Sequence, residues 1–124
     1  MSLATACGGG DNTPSPAEAP DLATIPLTDV LGNGKPTLAE FGRGVCIPCK
    51  RMKPILEELA VEYGDELNVV IVEVDENKEL TNYYQIMAIP TQIVFDKDGN
   101  RLGSHIGLWP KGAIVSKLKE LGML

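Results

Sequence analysis

Residues 37–50 read Thr37-Leu38-Ala39-Glu40-Phe41-Gly42-Arg43-Gly44-Val45-Cys46-Ile47-Pro48-Cys49-Lys50. From Thr37 to Arg43, apolar Leu38 and Phe41 flank an acid, Glu40, which predicts a strand running into a loop. After the cysteines, Met52, Ile55, Leu56, Leu59, Ala60 and Tyr63 recur at three- and four-residue intervals. That is the apolar stripe of an amphipathic helix from Ile47 to Tyr63, ended by Gly64. Pro54 falls inside it and removes one backbone hydrogen bond, so a kink is expected. The two cysteines therefore stand where a strand gives way to a helix.

That placement has chemical consequences. A helix start presents unpaired N–H groups and the positive end of the helix dipole, which favour the thiolate of Cys46. A thiolate is the form that attacks a disulfide. Cys49, one turn further in and more enclosed, is placed to resolve the mixed disulfide that results. Pro48 in the first turn needs no N–H donor and pre-sets the backbone angle, stiffening the loop without harm to the helix. Lys50 and Arg51 add positive charge nearby. Closing so short a loop stabilises a fold by only about 2 kcal/mol in the chain-entropy account, so the pair is read as functional and not as a staple.

Downstream, Leu67–Val74 is β-branched and almost wholly apolar, as a strand buried on both faces should be, and is the candidate central strand. Asp75 is placed to cap a helix through about Tyr84, and Gln92–Phe95 forms another apolar strand. Asp96 to Asn100 is a hairpin turn signal, Arg101–Ile106 the returning strand, and Lys111–Leu121 a terminal amphipathic helix. The order β-α-β-α-β-β-α predicts an α/β fold, a central mixed sheet flanked by helices. Ile89-Pro90-Thr91 precedes the third strand, where a proline is acceptable only at the strand start.

In order and spacing these landmarks resemble the thioredoxin family: Glu40 and Phe41 in the first strand, Cys46-x-Pro48-Cys49-Lys50, Pro54, the strand end at 72–75, Ile89-Pro90-Thr91 and Gly107. The match covers about residues 35–121. The resemblance implies a thioredoxin-like fold and a protein-disulfide oxidoreductase that needs no cofactor beyond its Cys46–Cys49 disulfide. It further implies that Pro90 is cis, that Ile89 offers backbone bonds to an extended substrate, and that Glu40 matches a buried acid that helps move the proton of the resolving cysteine. Three positions depart from the family pattern. Val45 stands where tryptophan is usual, Ile47 replaces a glycine, and Ile71 occupies the place of a strand lysine near the acid. Val45 and Ile47 should thus give an altered substrate surface.

The chain has 124 residues, 44% of them hydrophobic, enough for one modest core. A formal net charge of −6 argues against a nucleic-acid partner. No stretch approaches the run of about 18 apolar residues that crosses a bilayer as a helix. Residues 1–24 are expected to be a disordered tether, rich in Gly, Pro and Ala, and 25–124 the folded domain. Ala4-Thr5-Ala6 before Cys7 resembles the end of a bacterial lipoprotein signal peptide, with Met1-Ser2-Leu3 read as a start placed on a shortened leader. Cys7 would then carry the lipid, the only membrane link, and localise a monomer to the cell envelope or periplasm; without it the expected location is the cytoplasm.

A zinc knuckle lacks its second cysteine pair, and the haem-attachment pattern fails because Lys50 follows Cys49. No metal is assigned to the site. Trp109 is expected to be a packing wedge or partner contact, and His105 a surface or edge-strand residue and not a ligand. The functional expectation is dithiol exchange with disulfides of envelope proteins in the reducing direction, fed by a membrane thiol-electron transporter. The alternatives are a copper(I) chaperone holding the metal between the two thiolates, or a dithiol oxidant.

Overall fold

The computed structural model describes residues 21–124. Cys7 and the expected tether up to residue 20 lie outside the described residues. The elements are β1 (Thr37–Gly42), α2 (Ile47–Tyr63), β2 (Asn68–Glu73), α3 (Lys78–Tyr83), β3 (Thr91–Phe95), β4 (Arg101–Ile106) and α4 (Lys111–Glu120), preceded by a single helical turn, α1 (Leu27–Val30). The β-α-β-α-β-β-α order is the expected one. A 3-10 turn at Leu22–Thr24 falls within the stretch assigned to the tether; Leu22 is buried in the main core, so the packed domain includes it.

The four strands lie in the order β2-β1-β3-β4. β1 pairs parallel with β2 and antiparallel with β3, and β3 pairs antiparallel with β4. Side chains alternate between the two faces of a strand, so β1 sends Leu38 and Glu40 one way and Ala39 and Phe41 the other. On the first face Leu38 packs with Met52, Leu56 and Leu59 of α2 and Ile114 and Leu118 of α4. Met52, Leu56 and Leu59 follow the three-to-four-residue period and are fully buried, each contributing about 1.5–3 kcal/mol. On the second face Ala39, Phe41, Val70, Val72, Ile93 and Phe95 meet Leu27 of α1. Tyr84 closes this layer with edge-on contacts to Phe41 and Phe95 at ring-centroid distances of 5.9 and 5.4 Å.

Two expectations are corrected. β2 is an outer strand, and β1 and β3 are the inner ones. Its apolar run comes from cover on both faces, with Val69 in the α2 layer and Val70 and Val72 in the other, and not from strands on both sides. Asp75 caps no helix: it lies in a 3-10 turn, Val74–Glu76, and its carboxylate receives Arg43 Nε at 2.9 and 3.1 Å. Asn77 occupies the N-cap of α3, with its amide donating to the Glu73 carbonyl at 2.8 Å. The hairpin turn is as expected, with Asp96 Oδ1 accepting from the N–H groups of Asp98 and Asn100, and Gly99 in the left-handed region at φ +90°. Trp109 is a packing residue: it is buried in the main core, and its backbone N–H points at Met52 Sδ, 3.2 Å away.

Candidate active site

The first turn of α2 is built around its cysteines. Cys46 is the N-cap residue, extended at φ −76° and ψ 123°, and its Sγ accepts a hydrogen bond from the Cys49 N–H at 3.3 Å. A sulfur thus takes the capping place usually filled by a hydroxyl or carboxylate oxygen, and faces an N–H that the helix itself leaves unpaired. Cys46 and Cys49 are joined as a disulfide, with Cα atoms 5.1 Å apart. Cys46 is half-buried and Cys49 buried, so an incoming molecule meets Cys46 first. Pro48 lies in the first turn, and Val45 and Ile47, 82% and 65% exposed, form an apolar rim on either side of Cys46.

Behind the disulfide a cavity of about 310 Å³ is lined by Glu40, Gly42, Cys49, Lys50, Lys53 and Ile71, with Asp21 to Ala23 at its edge. Glu40 is 1% exposed, and burial pushes its carboxyl up to about 7, against the smaller opposing effect of a hydrogen bond from Gln92. Desolvation outweighs the hydrogen bond from Gln92, and Ile71, the ladder partner of Glu40 on β2, is apolar and brings no charge to offset it. Gly42 brings the acid and the sulfur together. A β-carbon built on it would lie 2.8 Å from Cys49 Sγ and 3.9 Å from Glu40 Oε2, so both groups border one small space.

The Ile89–Pro90 peptide bond is cis. It immediately precedes Thr91, whose ladder partner is Phe41, one residue before Gly42. Pro90 is buried, with its carbonyl accepting from the Gly107 N–H at 2.8 Å. Ile89 is half-buried and shares a groove with Arg43, and among the described residues its backbone N–H and C=O have no hydrogen-bond partner. Cys46, Cys49, Pro48, Glu40, Val45, Ile47, Ile89 and Pro90 are thus gathered around the junction of β1, α2 and β3. Cys7 is outside the described residues.

Two contributors escaped the sequence. In the sequence Gly42 reads only as part of a strand ending in a loop. Gln92 reads as one member of an apolar strand, yet it is fully buried and its Nε2 donates to Glu40 Oε1 at 2.9 Å. The available signal was its being the only amide in the run Thr91-Gln92-Ile93-Val94-Phe95. A buried amide needs partners, and the acid on the neighbouring strand is one.

The sequence profile of the thioredoxin family matches residues 27–120. A thioredoxin of Mycolicibacterium smegmatis is 42% identical over 108 residues, covering 81% of this chain and 96% of that protein. A thioredoxin of Bacillus subtilis is 46% identical over 77 residues, 62% of this chain and 73% of its own. Among solved structures, the germline-specific thioredoxin Deadhead of Drosophila melanogaster superposes with a TM-score of 0.65 at 27% identity, covering 73% of this chain and 84% of that one. The chain belongs to the thioredoxin family. It is a protein-disulfide oxidoreductase acting on protein disulfides, and its redox group is its own Cys46–Cys49 pair.

Proposed function

We propose that this chain reduces disulfides of envelope proteins from a lipid anchor at Cys7, with Cys46 as nucleophile, Cys49 as resolving thiol and Glu40 as the base that takes the Cys49 proton. In the reduced state the Cys46 thiolate attacks one sulfur of a substrate disulfide. The substrate S–S bond breaks, a Cys46–substrate disulfide forms, and the departing sulfur takes up a proton. Cys49 gives its proton to Glu40 and attacks Cys46 Sγ, releasing the second substrate thiol and leaving the Cys46–Cys49 disulfide. Two electrons pass to the substrate, with one proton from solvent for the first departing sulfur and one, relayed from Cys49 through Glu40, for the second. The observation that carries this reading is the shared space beside Gly42, where a buried carboxyl held near neutrality borders the resolving sulfur. A base is most useful when its pKa lies near the working pH.

The backbone of Ile89, without a hydrogen-bond partner among the described residues, supports an extended substrate strand lying beside cis Pro90, with Val45 and Ile47 meeting its apolar side chains. The Ala4-Thr5-Ala6-Cys7 sequence supports the anchor and an envelope location. Electrons would come from a membrane thiol-electron transporter, and the protein would act as a monomer.

Insulin reduction with dithiothreitol tests the chemistry. Wild type should turn over and Cys46→Ser should not; equal inactivity, with stoichiometric copper(I) binding by wild type, would favour a metallochaperone. Equilibration against glutathione tests direction, a potential well below that couple marking a reductant and one well above it an oxidant. Labelling of the full precursor with radioactive palmitate, absent in Cys7→Ser, tests the anchor; an unlabelled, soluble wild type rejects it.

A further inference from the structure

A row of polar side chains crosses the sheet from its edge to the buried acid. Glu40 on β1 stands directly opposite Gln92 on β3, and Gln92 directly opposite His105 on β4. Residues facing one another across a ladder point to the same face, so the three side chains touch in sequence. Gln92 Nε2 lies 2.9 Å from Glu40 Oε1 and 3.1 Å from the Gly107 carbonyl oxygen, and Gln92 Oε1 lies 3.0 Å from His105 Nδ1. A backbone carbonyl only accepts, so the amide atom facing Gly107 is the nitrogen. The atom facing His105 is then the oxygen, and His105 Nδ1 carries a hydrogen. The ring of His105 is held in plane by stacking on Trp109, with centroids 4.7 Å apart and planes 8° apart.

We propose that Gln92 is a positioning residue for the Glu40 carboxyl and that His105 acts through it. The Nδ1–H of His105 donates to Gln92 Oε1, and this polarises the amide so that its Nε2–H donates more strongly to Glu40 Oε1. Hydrogen bonds in a chain strengthen one another in a low-dielectric interior. A bond to the charged form of an acid favours that form, so the row holds the Glu40 midpoint below where burial alone would put it. Other charged or titratable groups reach the Glu40 cavity from Asp21, Arg43, Cys49, Lys50, Lys53 and Glu73. On the His105 side the facing charges are Lys117 and Glu120 of α4, which pair with each other at 2.8 Å. None of these enters the row itself.

The row is tested in the oxidised full chain, where the cysteines do not titrate, by following the Glu40 side-chain carbonyl carbon with pH in ¹³C-glutamate-labelled protein. Gln92→Leu should raise the Glu40 midpoint by about half a pH unit or more. His105→Phe, whose ring keeps the stack on Trp109 but has no N–H, should raise it in the same direction by less. His105→Asn, which restores a donor at the Nδ1 place, should return it to the wild-type value. The double variant should match Gln92→Leu alone, because the row from His105 to the acid runs through Gln92. A His105→Phe midpoint equal to wild type, or a shift that adds in full to that of Gln92→Leu, would overturn the proposal, and the His105 variants decide it even if Gln92→Leu does not fold. The link to catalysis rests on Glu40 being the base for Cys49 and is read separately, from the pH profile of insulin reduction. A carboxyl midpoint that moves in His105→Phe while the pH profile stays fixed would uphold the row and reject the base.

Discussion

Gly42 lies so close to Cys49 that a single added methyl group would sit 2.8 Å from its Sγ and 3.4 Å from its Cβ. The glycine is needed for space and not for backbone freedom. Because Cys49 Sγ is tied to Cys46, it has no other rotamer to retreat to in the oxidised protein. Gly42→Ala should therefore destabilise the oxidised chain by about 1–3 kcal/mol, the usual effect of overpacking a tight site. Urea unfolding checks this, and the loss should shrink on reduction, when Cys49 is free to turn.

Glu40 makes stability depend on pH in a definite sense. Its carboxyl is held at about 7 in the fold, against 4.5 for an ordinary glutamate, chiefly by burial. Between those values the unfolded chain has released its proton and the folded chain still holds it. Stability is therefore fully present below 4.5, falls as pH rises towards 7, and levels off above it, with a loss on the order of 3 kcal/mol. Glu40→Gln has no such proton to release. Chemical denaturation at pH 4.5 and pH 8 should show the decline in wild type and lose it in the variant.

Burial of Cys49 behind Cys46 predicts which thiol forms the intermolecular bond. Cys49→Ser should leave the attack of Cys46 intact and remove the step that ends it, so that a Cys46–substrate disulfide accumulates. Non-reducing electrophoresis after mixing with oxidised substrate protein should show a stable adduct with Cys49→Ser and none with Cys46→Ser. An adduct through Cys49 in the Cys46→Ser chain would reverse the assigned roles.

Met52 is fully buried in the α2 layer, and its sulfur faces the Trp109 N–H at 3.2 Å. Met52→Leu keeps the volume but leaves that N–H without its acceptor. The expected loss is about 1 kcal/mol, mostly from the unpaired donor, since the packing change itself is small. Thermal unfolding reads it, with Met52→Ala serving as the larger cavity control at about 2–5 kcal/mol.

The parts of this fold that were legible in the sequence are those with a repeating signal. The stripe from Met52 to Tyr63 gave α2, and the dense β-branched run gave β2. What α2 does to Cys46 followed from its position at the helix start. The place of β2 is not legible in its run, because an apolar strand shows how well its faces are covered and not how many strands flank it. α1 and the turn at Leu22 are too short to show any period, and their burial depends on side chains distant in sequence. Asp75 looks like a cap in the sequence because Asp prefers such places, but an ion pair with Arg43 claims it. Gln92 and Gly42 illustrate a different limit: one matters for what stands across the ladder, the other for what is absent from its side chain.

The register shift between Val94 and Phe95 has an effect beyond the hairpin itself. It breaks the regular ladder beside β4, whose free side is an outer margin of the sheet, and Arg101 places a charge at the same end. Irregularity and charge both make such a margin a poor template for another polypeptide. A protein whose work is to handle unfamiliar chains thereby discourages them from zipping onto its flank, and clumping is opposed by the geometry of a single misaligned residue.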